Sequence, residues 1–399
     1  MNKDSIRSII SSLICIIGGL FIGFLVLLFL AIFEDNIDIS EAFKGLKIII
    51  GGPFASGNIK SILFNFGDMI LETSPLILTG LSVAVAFKTG LFNIGASGQY
   101  LMGAMGSLLV ALSFKTDNII VAFFVWLLAF LVGTLLGAIW GMIPGLLKAY
   151  FNINEVIVCI MTNWIAANVV SWVFSASGEK FINYAETKTK FLRKPMTSGV
   201  GTINFGLDKL LAGSALDISI IIAIVIAIVI FIMMEKTTFG YELKASGFNR
   251  NAAKYAGMNE KRNIIFSMTI AGALSAAGAC LWYLNNNNEF MWNTYSILPQ
   301  EGFNGIPCAL LASNNPIGVI FSALFLRYIT KSGFNLAGYT SFNEYVPQLI
   351  IAVIIYFAGF SKLIFDFLSR RDVKKQIAIH KLDIRKKQDE KIKKEKEGK

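Results

Sequence analysis

Residues 90–100, Gly-Leu-Phe-Asn-Ile-Gly-Ala-Ser-Gly-Gln-Tyr, carry groups suited to recognising a polar, aromatic solute. Asn93 and Gln99 are donors and acceptors at once, Ser97 adds a hydroxyl, and Phe92 offers a ring face for stacking. The glycines favour departure from the helical path, and in a membrane such backbone survives only where it is buried in protein or lines a cavity. A second stretch, Phe303-Asn304-Gly305-Ile306-Pro307, echoes Phe92-Asn93-Ile94-Gly95-Ala96, so Phe303 and Asn304 join the candidate path. The same amides have a structural alternative, satisfying backbone freed between helices. Glu72, with Asp68 a turn before it, is an acid inside an apolar run and a functional candidate by default. Beside Thr73-Ser74-Pro75 it could also tie down a proline kink.

Other chemistries are absent from the residue types. The single histidine, His380, lies in a charged tail, and Cys15, Cys159, Cys280 and Cys308 sit in apolar runs without metal-ligand or redox spacing. With no phosphate-binding Gly-x-x-x-x-Gly-Lys-Ser/Thr loop, the chain is expected to be no enzyme and to hold no metal or cofactor. Energy for active transport would come from a partner or an ion gradient.

The elements that must position these residues are apolar runs. Hydrophobic residues make up 55% of the chain and charged ones 16%, well below the soluble norm, so the chain reads as an integral membrane protein. Ten runs stand out, at about 9–33, 61–87, 91–112, 119–143, 153–175, 216–234, 263–284, 300–313, 317–330 and 345–367. This is an all-α polytopic bundle with an internal repeat. Runs 300–313 and 317–330 are too short to cross alone and read as broken helices of the kind that flank a transport site. Run 119–143 is expected to end at Pro144, residues 34–60 to form an external loop, and 177–214 an ordered external cap. Lys3 and Arg7 before the first run, with Glu34, Asp35 and Asp38 after it, place the N-terminus in the cytosol; ten crossings return the C-terminus there. Of the net charge of +10, +7 lies in residues 370–399. This suits a cytosolic tail beside anionic membrane lipid, and no aromatic interleaving points to nucleic acid. The expected organisation is an N-terminal helix and loop (1–60), a core (61–368) and the tail (369–399).

One basic loop, 236–262, has its own pattern. Asn249 is a good N-cap, Ala252 and Ala253 favour a short helix, and Gly257 suits its stop. A two-turn helix over 250–256 would lie across the membrane face.

Here the sequence resembles a known family. Thr-Phe-Gly … Ala-Ser-Gly-Phe-Asn … Ala-Ala … Gly-Met over residues 238–258 is similar to the coupling loop of ABC importer permeases of the branched-chain amino acid and simple-sugar class. Residues 90–99 resemble the Gly-Leu-Phe-Asn-Ile-Gly-Ala-Glu-Gly-Gln motif of its nucleoside-type members. The resemblance spans about 60–366 and departs at Ser97, where many members carry Glu. It implies the longer permease subunit of a nucleoside importer, multi-pass in the cell membrane. The implied partners are a second permease, a cytosolic ATPase that binds ATP and Mg²⁺, and an extracytoplasmic substrate-binding lipoprotein. Ala245, Gly247, Asn249, Ala252, Ala253 and Gly257 would then couple to the ATPase. A ribose-like sugar permease and an ion-coupled secondary transporter are the alternatives.

Overall fold

The computed structural model describes residues 3–34, 37–55, 57–190, 192, 200–203, 205–293, 297–343, 345–358, 360, 364 and 367. The tail expected over 369–399 lies outside them. Helices α1 (Lys3–Phe33) and α2 (Ile39–Gly51) precede α3 (Ile59–Lys88) and α4 (Ala96–Ser113). Next come α5 (Ile119–Phe151) and α6 (Glu155–Ser177). A hairpin of β1 (Ile182–Asn183) and β2 (Lys188–Thr189), with Ile182 opposite Thr189, and the one-turn α7 (Leu207–Leu210) follow. Helix α8 (Ser219–Lys236) leads into α9 (Thr238–Phe248) and α10 (Arg250–Tyr255). The chain then runs through α11 (Glu260–Tyr283), α12 (Gln300–Leu311), α13 (Pro316–Tyr339) and α14 (Val346–Ala358).

The architecture is an all-α membrane bundle, and seven of its described helices are long and apolar enough to cross a membrane by themselves. Helices α3 and α11 form its centre: 83% of the apolar window of α3 is buried, against 22% for the peripheral α1 and α5. Close approach rather than hydrophobicity holds such helices together in lipid. On α5, Gly133, Gly137, Gly141 and Gly145 recur every four residues on one face. A Cβ at Gly137 would lie 2.1 Å from that of Ala276 and 2.8 Å from the Gly272 carbonyl of α11. Helix α3 bends its rules around Pro75, which cannot donate to the carbonyl of Leu71. The Ser74 hydroxyl donates to that carbonyl at 2.7 Å and takes over the lost bond.

Several boundaries differ from those expected. Helix α5 passes through Pro144 to Phe151 and stops only at Asn152, whose left-handed conformation ends it. Residues 34–60 are not a plain loop but contain α2, ended by Gly52 at φ +52°. Run 317–330 is part of a 24-residue helix, about 36 Å long at 1.5 Å per residue. Its apolar pattern was cut short before Lys331, a charge that the bundle neutralises internally. The Phe303–Pro307 stretch is no break, since it lies inside α12. The non-helical backbone comes after it, at Ser313 and Asn314, both with positive φ. The Phe-Asn echo is therefore not a conformational equivalence. At 12 residues, about 18 Å, α12 does stay shorter than a membrane crossing.

Candidate functional site

Helix α3 ends in the 90–100 stretch as that composition suggests. Gly90 has φ +72°, and the Leu91 amide turns back to the Ala86 carbonyl at 2.9 Å. From there to Gly95 the backbone is not helical, and α4 begins at Ala96. Asn93 and Gln99 are fully buried and clasp each other. Asn93 Nδ2 donates to Gln99 Oε1 at 2.8 Å, and Gln99 Nε2 donates back to Asn93 Oδ1 at 3.0 Å. The second Asn93 hydrogen reaches Ser82 Oγ on α3 at 2.9 Å. The two candidate path amides thus hold the break closed in this conformation. The Phe92 ring stacks on Phe87 with centroids 5.1 Å apart.

Asn163 on α6, which the sequence did not single out, clamps the same segment. Its Oδ1 accepts from the Gly98 amide at 2.8 Å and its Nδ2 donates to the Ile94 carbonyl at 3.0 Å. Ser97 is brought to the second candidate stretch. Its hydroxyl donates to the Pro299 carbonyl at 2.8 Å, and a Cβ at Gly302 would lie 2.4 Å from Ser97 Cα. Gly305 packs as closely on Thr79 of α3. Phe303 and Asn304, on the same short helix, remain partly exposed.

Glu72 belongs to a larger constellation. Lys331 Nζ donates to Glu72 Oε1 at 3.0 Å and lies 3.6 Å from Asp68 Oδ2. Arg327 lies between Glu72, at 4.0 Å, and Glu301, at 3.8 Å. Sequence reasoning missed Glu301, Arg327 and Lys331. The signal was present as spacing: Asp68 and Glu72 stand four apart on α3, and Arg327 and Lys331 stand four apart on α13, so each pair shares a helix face. Charges in such a setting persist only when paired.

The basic loop holds two helices where one was expected. Asn249 caps α10 by accepting from the Ala252 amide at 3.1 Å, and Gly257, at φ +83°, follows its end. Helix α9 packs on the first motif. A Cβ at Gly247 would lie 2.4 Å from the Lys88 carbonyl and 2.8 Å from the Gly90 amide. Asn263 of α11 donates to Ser246 Oγ at 2.9 Å, and Ser267 donates to Thr89 Oγ1 at 2.9 Å, which ties loop and turn to one helix. Of the residues expected to face a partner, Gly247 and Ala253 face the chain itself, while Asn249 and Ala252 are exposed. The prominent outward groups are Phe248 and Tyr255, 96% and 93% exposed.

A bundle of apolar helices, wrapped around broken segments that carry buried amides and ion pairs, defines a multi-pass membrane transport component. The chain belongs to the family described as branched-chain amino acid transport system / permease component, whose model matches residues 65–359. It is 35% identical over 300 residues to the nucleoside ABC transporter permease protein NupB of Lactococcus lactis, covering 75% of this chain and 78% of that one. It is 32% identical to the guanosine ABC transporter permease protein NupP of Bacillus subtilis, over 79% of this chain and 88% of the other. The glucose ABC transporter permease protein TsgB13 of Haloferax volcanii is 26% identical, over 74% and 76%. No solved structure matches the chain.

Proposed function

We propose that this chain is the longer permease subunit of an ATP-binding cassette importer that carries nucleosides across the cytoplasmic membrane. Both termini and the α9–α10 loop lie in the cytosol, where a separate ATPase binds ATP and Mg²⁺. The observation that carries the reading is the seating of α9 on Gly90. A loop that presents Phe248 and Tyr255 outward is packed, backbone to backbone, on the turn that begins the broken motif. A partner that grips the two aromatics and moves them would pull on the segment clasped by Asn93 and Gln99.

Sequence neighbours support the solute and the second permease. The relatives with 35% and 32% identity are named for nucleosides and guanosine, those named for glucose and for galactose and methyl galactoside fall at 26% and 24%. In L. lactis a second nucleoside permease protein, NupC, also matches, at 24% identity. The 300 residues aligned to NupB are 78% of it and the 269 aligned to NupC are 80%, so NupB, the nearer relative, is the longer. The polar 177–214 segment would meet a substrate-binding lipoprotein outside. An ion-coupled mechanism would need acids that exchange protons, whereas Asp68 and Glu72 both face Lys331.

The test is initial uptake of labelled guanosine by cells with and without the gene. Expected is gene-dependent uptake that stops on ATP depletion and is competed by excess inosine. Competition by ribose or glucose with no effect of inosine would replace the nucleoside by a sugar. Uptake that survives ATP depletion would remove the ATPase from the scheme.

A further inference from the structure

The charged constellation ends at an opening. At the end of α3 remote from the α9 loop, an open surface pocket of about 440 Å³ is lined by Lys60, Phe64, Asn65, Asn335 and Tyr339 among others. Residues 61, 65, 68 and 72 follow one face of α3, and 335, 331 and 327 follow one face of α13. Moving inward from the pocket, which Asn65 and Asn335 both line, come Asp68 with Lys331, then Glu72 with Lys331 and Arg327. Glu301, at the start of α12, comes last, two residues from Pro299 and next to Gly302, both of which meet Ser97 of the first motif. The polar seam thus joins the outer pocket to the broken segment.

Its inner end is bonded differently from its outer end. Lys331 makes a true hydrogen bond to Glu72. Arg327 stands 3.8 and 4.0 Å from its two carboxylates, beyond hydrogen-bond reach, and its buried Nε has no partner. The buried hydroxyl of Tyr100, within electrostatic range of Glu301 and Arg327, is also unpartnered. The Arg327 Nε and the Tyr100 hydroxyl, both buried without a partner, are costly to leave so unless another group supplies one. Arg327 and Glu301, paired at 3.8 Å without a hydrogen bond, thus keep donor and acceptor capacity for a small group that offers both.

We infer that Glu301 and Arg327 bind the vicinal hydroxyls of the solute's sugar, a reading that rests on nucleoside transport as proposed above. A carboxylate can accept from two adjacent hydroxyls, and the guanidinium fork can donate to their oxygens while it holds the carboxylate charged.

The experiment compares initial uptake of guanosine and of 2′-deoxyguanosine by cells carrying the complete importer, with wild-type chain, Glu301→Gln, Glu301→Asp or Arg327→Lys. Membrane abundance of each variant is measured in parallel. Expected is a loss of at least tenfold in guanosine uptake for Glu301→Gln and Arg327→Lys, a loss under threefold for 2′-deoxyguanosine, and partial recovery of guanosine uptake in Glu301→Asp. Equal losses for the two solutes, or no loss for either, would overturn the diol assignment while leaving nucleoside transport standing. Wild-type cells that take up neither solute would overturn the transport reading, and this assignment with it.

Discussion

Asn93 and Gln99 each use both edges of an amide on the other, in a pocket from which water is excluded. Removing one leaves the other buried and unsatisfied, which costs about 1–3 kcal/mol, more than the net value of the bond itself. Asn93→Leu is therefore expected to lower stability by about 1–3 kcal/mol. The Asn93→Leu, Gln99→Leu double variant should lose clearly less than the sum of the two single changes, because no orphaned amide remains. Unfolding of the detergent-solubilised protein, followed through a full mutant cycle, reads this directly, and strict additivity would mean that the two amides do not act as a pair. Residue type alone draws attention to both amides. Their partnership was not legible, because it depends on the chain reversing between Leu91 and Gly95 so that positions six apart meet.

At the scale of elements, the contact of α9 with the end of α3 is made by glycine on glycine. Any side chain at Gly247 meets the Lys88 carbonyl and the Thr89 and Gly90 backbone, none of which can rotate aside. Gly257 differs: its φ of +83° makes alanine unfavourable by about 1–2 kcal/mol locally, but no neighbour lies within 4 Å. Gly247→Ala is expected to cut uptake at least tenfold at unchanged membrane abundance, whereas Gly257→Ala keeps at least half of wild-type uptake. Similar losses in the two variants would count against α9 as the link. The capped helix α10 was legible from Asn249 and Gly257, because capping is local chemistry. Helix α9 was not, since Thr238–Phe248 has little apolar periodicity and takes its place from packing on α3, α8 and α11. The extent of α13 was hidden for a related reason. Lys331 looks like the start of a loop until Asp68 and Glu72 of a distant helix are known to face it. Pro144 misled in the same direction, since a breaker inside a long apolar helix can be absorbed by its neighbours.

The arrangement of the whole molecule can be read with single cysteines, because its four native ones are buried to within 1% of their surface and give little background. If both termini lie in the cytosol, α3 runs inward, and the α9–α10 loop and the segment between α6 and α8 must emerge on opposite sides. Lys254 on α10 and Leu210 at the end of α7 are both exposed and lie on these two segments. A membrane-impermeant maleimide is expected to label Lys254→Cys in inside-out vesicles and not in right-side-out ones, and Leu210→Cys in the reverse pattern. The same orientation puts the pocket at Asn65 and Asn335 outside, so Asn65→Cys should follow the pattern of Leu210→Cys. Labelling of Lys254→Cys from the outside would invert the bundle. The exposed aromatics Phe248 and Tyr255 would then face away from any cytosolic ATPase, and the seating of α9 on Gly90 would need another purpose.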